Sequence, residues 1–321
     1  MLTRKKVLAI SLAVFAALNF TACGGGDKKA EGKPAAPKTT VAVPARPAVS
    51  TTPSMSFKFG EKEAKVYELK GVDLTKKIRT GRLAVMNGAA YFFVDMKPMQ
   101  LGKVSLKNES ISDLTLVSDS GGIDYLATNG KAVLFRTGDG KMGVYDGKKV
   151  AKGDKWLGET IGVAGSDEFY VMQGTALKAA TLENNTFKNI RNVIPDYKKI
   201  PAFDKAILKP VYADSNEIYL RTFLRKEGVK DAVPTLVAFD KQGKELRRYE
   251  GVQKLPRGWA VTTNYVIHTG SMGDFRVFDR TTGKKLGDAN VGLRPFVLYT
   301  ITGNDVLLYD DRADKLYRID F

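Results

Sequence analysis

The sequence predicts an all-β fold, a six-bladed β-propeller whose ring is closed by an N-terminal strand, placed after a signal peptide and a flexible tether. Three observations carry this reading. A strand–turn–strand unit recurs with anchors at Lys107, Asp146, Glu183, Asp240, Asp279 and Asp320, spaced by 39, 37, 57, 39 and 41 residues. A four-stranded propeller blade takes about 40–45 residues, so these intervals fit one blade each, with a single insertion. Apolar residues alternate in short runs broken by turn residues, and no long stripe of period 3.6 occurs. The last repeat stops at Phe321, where its outermost strand is due, while Glu63–Gly71 reads like the outer strand Gly243–Gly251 of another repeat. Pairing that early strand with the final blade closes the ring and removes exposed edges.

Taken in order, the chain opens on Arg4, Lys5 and Lys6, followed by the mostly apolar run Val7–Leu18. That run is short for a membrane span and reads as the core of a signal peptide over residues 1–22. Phe20, Thr21, Ala22 and Cys23 come next, then Gly24, Gly25 and Gly26. Phe20–Cys23 resembles the bacterial lipobox, with Phe20 at the position where that motif usually has Leu. The resemblance implies a lipid-anchored protein of the cell envelope, with Cys23 acylated after cleavage. Cys23 is the single cysteine of the chain, so it has no disulfide partner within it. Gly24 rather than Asp after the cysteine favours the outer membrane in a Gram-negative cell; otherwise the outer face of the cytoplasmic membrane is expected. Residues 23–56 contain Pro34, Pro37, Pro44, Pro47 and Pro53 among Ala, Thr and Lys. Such a segment buries too little apolar surface to offset its ordering entropy and reads as a tether.

The body, residues 57–321, carries the repeats. The fullest copies are Leu236–Tyr249 and Arg276–Leu286; shorter ones are Gly143–Val150 and Leu316–Asp320, and Lys103–Lys107 and Lys178–Glu183 are degenerate. Tyr125–Phe135 and Val211–Leu220 place turn residues between apolar runs, the short-hairpin signal. The recurring Asp-x-x-Gly-Lys has a local cause: Asp caps a turn through its own backbone, and Gly supplies the positive φ.

The copies at 236–249 and 276–286 resemble the repeats of quinoprotein-like propellers, the family of pyrroloquinoline-quinone dehydrogenases and of the outer-membrane assembly propeller lipoprotein. Two departures stand out. Those repeats usually have Trp where this chain has Arg247 and Gly287, and the family usually has eight blades where this chain has room for six. The resemblance therefore implies fold and not function. No quinone cofactor is implied, because a chain with one cysteine lacks the cysteine pair of the dehydrogenases.

Catalytic signals are sparse. The single histidine, His268, lies in the apolar strand Tyr265–Thr269 and reads as a structural residue. One histidine and one cysteine make no zinc cluster, and no Gly-x-Ser-x-Gly accompanies His268. Asp310, Asp311 and Asp314, or Asp139 between Gly138 and Gly140, lack the spacing of a calcium loop and read as hairpin tips. Trp156 and Trp259 read as packing residues rather than a sugar platform. No cofactor is expected.

Charge points to partners. Of 51 Lys and Arg, eight precede residue 57, as do two of the 35 acids, which leaves the body at +10. An exported body of that charge suits anionic envelope components and makes nucleic acid a poor expectation. The 57-residue interval holds two extra stretches. Lys188–Lys209 contains Arg191, Tyr197, Lys198, Lys199, Phe203 and Lys205, and Leu224–Pro234 contains Arg225, Lys226 and Lys230. Long connections in a compact ring are where binding usually resides, so these nine residues form the expected partner site. The reading is a non-catalytic binding or scaffold propeller for a protein or an anionic envelope polymer. Two alternatives are a lactonase- or lyase-like enzyme with a central metal, and a cell-wall carbohydrate binder. Carboxylates converging on the channel would favour the enzyme; apolar and basic groups would favour the scaffold.

Overall fold

Residues 52–69, 83–94, 100–106, 115–118, 122–253 and 255–321 are described by the computed structural model. The signal peptide, Cys23, most of the expected tether and the anchor Lys107 lie outside the described residues. Two strands come first, β1 (Met55–Phe59) and β2 (Lys62–Glu68). Blade 1 holds β3 (Ala84–Met86), β4 (Ala89–Val94), β5 (Gln100–Ser105) and β6 (Thr115–Ser118). Blade 2 holds β7 (Gly122–Thr128), β8 (Val133–Thr137), β9 (Lys141–Tyr145) and β10 (Val150–Lys155). Blade 3 holds β11 (Glu159–Gly162), β12 (Glu168–Gln173), β13 (Ala176–Glu183) and β14 (Thr186–Ile194). Blade 4 holds β15 (Lys209–Ala213), β16 (Glu217–Leu224), β17 (Val233–Asp240) and β18 (Glu245–Glu250). Blade 5 holds β19 (Pro256–Val261), β20 (Tyr265–Gly270), β21 (Asp274–Asp279) and β22 (Lys285–Asn290). Blade 6 holds β23 (Pro295–Thr302), β24 (Asp305–Asp310) and β25 (Lys315–Asp320), and β2 and β1 complete it.

The first strand of each blade lies innermost. β3, β7, β11, β15, β19 and β23 neighbour one another in that order, and β23 returns to β3. Ring closure follows the expected route, since β2 pairs antiparallel with β25, with Lys65 opposite Asp320 and Glu68 opposite Tyr317. The unexpected part is β1, which adds a fifth strand outside β2. It begins at Met55, two residues inside the stretch read as tether.

Six apolar clusters fill the six seams between blades. Strand alternation feeds both sides at once. On β4, Ala90, Phe92 and Val94 face blade 6, and Ala89, Tyr91 and Phe93 face blade 2. On β17, Val237 and Phe239 face blade 3, and Leu236 and Ala238 face blade 5. Strands buried on both faces read as near-continuous apolar runs, which is why the alternation in the sequence is imperfect there.

The expected turn chemistry is present. Asp240 Oδ1 accepts from the backbone N–H of Gln242 at 2.9 Å and of Lys244 at 2.8 Å, with Gly243 at φ +84°. Asp279 Oδ1 accepts from Thr282 N at 2.7 Å. After Glu183 the turn is made instead by Asn184 and Asn185, both at positive φ.

The bases that follow Asp240 and Asp279 have a use that the repeat pattern alone did not disclose. Lys241 reaches back to blade 3 and donates to Tyr170 Oη at 2.7 Å and Glu168 Oε2 at 2.9 Å. Arg280 reaches back to blade 4, donating to Tyr219 Oη at 2.8 Å and to the Asp214 carboxylate. At the next seam Lys62 donates to Tyr265 Oη at 2.9 Å. Three successive seams thus carry a cation–tyrosine latch. Arg247, at one of the two positions where the resembling repeats have Trp, pairs with Glu217 and donates to Tyr249 Oη at 3.0 Å. At the other, a Cβ on Gly287 would meet Gly60 N at 2.5 Å, so close backbone approach replaces ring docking there.

Candidate functional site: the channel and the loop face

Two regions collect the candidate groups. The first is the central channel, of about 410 Å³, lined by the six inner strands. Its walls are mainly Val85, Ile161, Val211, Val261, Val297 and Leu298, with Tyr212, Tyr299, Trp259 and two cations, Arg221 and Arg257. No carboxylate is among the described lining residues. Burial raises the pKa of both channel tyrosines above the ordinary value, so they stay neutral hydrogen-bonding groups. Among the described residues no group of three His, Cys, Asp or Glu is placed to hold a metal ion.

The acid-rich turns are structural. Asp310 Oδ1 accepts from Arg312 N and Ala313 N, its Oδ2 accepts from Arg294 N, and Tyr309 donates to Asp314 at 2.5 Å. Asp139 accepts from Thr137 Oγ1 and Lys141 N. Both tryptophans are buried, Trp156 in the seam of blades 2 and 3 and Trp259 in that of blades 4 and 5. His268 is 1% exposed, its ring centroid lies 4.2 Å from that of Trp259, and its Nδ1 accepts from Val252 N at 2.8 Å. Burial, with smaller contributions from Arg276 and Arg221, pushes its pKa down to about 3, so the imidazole is neutral. A neutral ring accepting at Nδ1 carries its proton at Nε2.

The second region is the loop face, the end of the ring where inner strands begin. There the blade-to-blade connections and the links from second to third strands emerge, which includes residues 195–208 and 225–232 of the insertion. Leu224, the last residue of β16 before the second segment, packs on the cluster that holds Tyr197 and Phe203.

The nine expected partner-binding residues divide three ways. Arg191 is not in the loop; it sits on β14 and pairs with Glu168 at 3.0 Å, beside the Lys241 latch. Tyr197 and Phe203 are buried at 4% and 0% exposure, a correction to the expectation that their aromatic area faces a partner. Each occupies a short 3-10 turn, Tyr197–Lys199 and Pro201–Phe203, and anchors the loop from inside. Lys198 is also committed, donating to Ala206 O at 2.6 Å with its ammonium 5.6 Å from the Tyr197 ring. Lys226 pairs with Glu250 at 2.5 Å. Lys199, Lys205, Arg225 and Lys230 are exposed and form no ion pair among the described residues.

Charge counting overlooked the apolar side of this face. Ile207, Phe223 and Val229 are exposed in or beside the insertion, and Leu255 and Met272 are exposed on the blade 5 loops. The available signal was apolar residues inside turn segments, such as Leu255 before Pro256 and Met272 between Ser271 and Gly273.

No family model matches the chain, and comparison with curated proteins finds no match. Solved structures match in fold. U3-55K is 10% identical, with 80% of this chain and 98% of that chain covered at a TM-score of 0.50. The RRP9 WD40 repeats are 10% identical, covering 79% and 97% at 0.50. BamB from Moraxella catarrhalis is 10% identical, covering 75% and 84% at 0.44. At these identities the likeness is one of fold.

Proposed function

We propose that this chain is a membrane-anchored, non-catalytic propeller that works outside the cytoplasm as a binding or scaffold protein, with its loop face as the contact surface. Acylation of Cys23 supplies the anchor, and the segment after it sets the reach of the ring from the bilayer. The partner is a protein or an anionic component of the envelope. One observation carries the assignment to the loop face: four cations without an ion pair among the described residues, Lys199, Lys205, Arg225 and Lys230, stand beside exposed Ile207, Phe223 and Val229 on loops held from inside by Tyr197 and Phe203. Apolar area with a cationic rim on braced loops is the composition of a binding surface. The reading as a scaffold is supported by a channel whose lining offers arginines and apolar groups in place of carboxylates.

The test is crosslinking and recovery of partners from native membranes. Lys199→Glu, Lys205→Glu, Arg225→Glu and Lys230→Glu combined should abolish recovery and leave the melting temperature within a few degrees of wild type, because these side chains hold no other element. Wild-type recovery should fall with added salt, as expected for exposed charge. An unchanged partner set after reversal removes the loop face from consideration.

A further inference from the structure

Eight large apolar side chains are exposed among the described residues, and their distribution is one-sided. Ile190 and Leu246 lie on outer strands. The other six, Met55, Ile207, Phe223, Val229, Leu255 and Met272, all lie at the loop face, on loops or strand ends of blades 4, 5 and 6. The opposite face, where turns such as Asn87–Gly88, Asp146–Gly147 and Asn184–Asn185 lie, contributes none of them. Leu255 is held at φ +47°, a conformation that is costly for a branched side chain and that here directs it outward at 58% exposure.

Beside Leu255 and Met272 opens a cleft of about 570 Å³ that also takes in Arg257, Arg294 and Arg312. Arg294 pairs with Asp311 at 3.4 Å and remains half exposed, and Arg312 is exposed. No carboxylate is among the described residues that line this cleft, and Asp311 reaches Arg294 from beside it. Arg294 and Arg312, both reaching solvent, give this cleft a cationic rim beside Arg257, and such a rim suits an oxyanion of phosphate type, which accepts planar N–H forks.

A third observation concerns direction. β2 runs toward the loop face and β1 runs back from it, so Met55 stands at the loop face and the chain enters the ring there.

We infer that the loop face of blades 4 to 6 rests on an anionic lipid surface, with a phospholipid phosphate in the Arg257–Arg294–Arg312 cleft and Leu255, Met272, Phe223 and Ile207 dipping into the interfacial region. This deepens the proposed function by naming its anionic envelope component, and it rests on that reading for placing the chain at a membrane. The apolar tips stand on separate loops over three blades. A fluid interface accepts each tip independently, whereas a rigid protein partner would need matching pockets for all of them. Cationic attraction and shallow apolar insertion reinforce each other at such a surface.

The experiment uses a chain starting at Gly24, which keeps every strand and carries no acyl group, sedimented with phosphatidylcholine vesicles with and without phosphatidylglycerol. Binding should require the anionic lipid and weaken with salt. Arg294→Gln with Arg312→Gln should lower the partition coefficient roughly thirtyfold, at about fivefold for each basic residue near an anionic surface. Leu255→Ser with Met272→Ser should lower it about tenfold without changing its salt dependence, and both pairs should keep the wild-type melting temperature. Equal binding to both vesicle types, or indifference to both pairs of substitutions, overturns the inference. So does failure to bind vesicles while the same substitutions remove an acidic protein crosslinked to this face. Because no acyl group is present, the outcome is independent of whether Cys23 is lipidated.

Discussion

At the scale of single residues, His268 shows how little a titratable type says without its surroundings. In solution an imidazole titrates near 6.5, but here it is enclosed by Trp259 and the Gly251–Val252 backbone, and charging it is opposed by burial and by two arginines. The folded pKa lies below the unfolded one, so the unfolded chain takes up the proton first. Stability is therefore full above about pH 6.5 and declines as pH falls toward 3, by roughly 3 kcal/mol at pH 4.5 from this group alone. Urea unfolding of wild type and His268→Gln at pH 7.5 and 4.5 checks this. The stability difference between them should shift by about that amount in favour of the variant at the lower pH, and a constant difference would contradict the assignment. The sequence pattern led to a structural histidine because an apolar strand surrounded it. The same kind of reading misplaced Tyr197 and Phe203: aromatic residues in a basic loop look alike whether they face solvent or brace the loop, and only the neighbouring blade distinguishes the two cases.

At the scale of elements, closure is the decisive event. β25 would present an open edge, and β2 covers it. β1 then adds Phe57 and Phe59, whose rings lie 5.8 Å from that of Phe321 and which belong to the same apolar cluster as blade 5 residues Phe275 and Ile267. The first and last segments of the ring therefore seal the seam between blades 5 and 6 jointly. Deleting residues 55–68 should lower the melting temperature by well over ten degrees and produce aggregates visible by light scattering, because an exposed edge pairs with other chains. Deleting residues 28–50, which removes no described strand, should leave the melting temperature nearly unchanged. Equal effects would refute closure by β1 and β2. The outer-strand likeness made β2 legible, since Glu63–Gly71 repeats a pattern from another blade. β1 was not legible, because it has no counterpart in the other five blades.

At the scale of the whole molecule, six seams of similar construction distribute stability around the ring and leave its two faces free to differ. Among the described residues one face carries short turns such as Asn87–Gly88, Asp146–Gly147 and Asn184–Asn185; the other carries the insertion of blade 4, the arginine cleft and the exposed apolar tips. The proposed anchor is tested at Cys23. Cys23→Ala should move the protein from the membrane fraction to the soluble fraction, or leave an uncleaved precursor in the membrane fraction, and should abolish incorporation of labelled palmitate. Label entering the variant as strongly as the wild type would remove the anchor from the account.

The sequence by itself determined the blade count, the five anchors that fall on described residues, the turn chemistry after Asp240 and Asp279, and the strand that closes the ring. These depend on local periodicity and on residues a few positions apart, and repetition amplifies a weak local signal. Tertiary structure decided which charged groups remain available. Arg191, Lys198 and Lys226 are claimed by partners 23, 8 and 24 positions away, across turns and strands. The latches of Lys241 and Arg280 span more than 60 positions, from one blade to the one before it. It also gathered the apolar tips and three arginines, spread from Ile207 to Arg312, onto one face. No periodicity along a chain records that, because closing the ring sets which loops become neighbours and which end of the molecule they share.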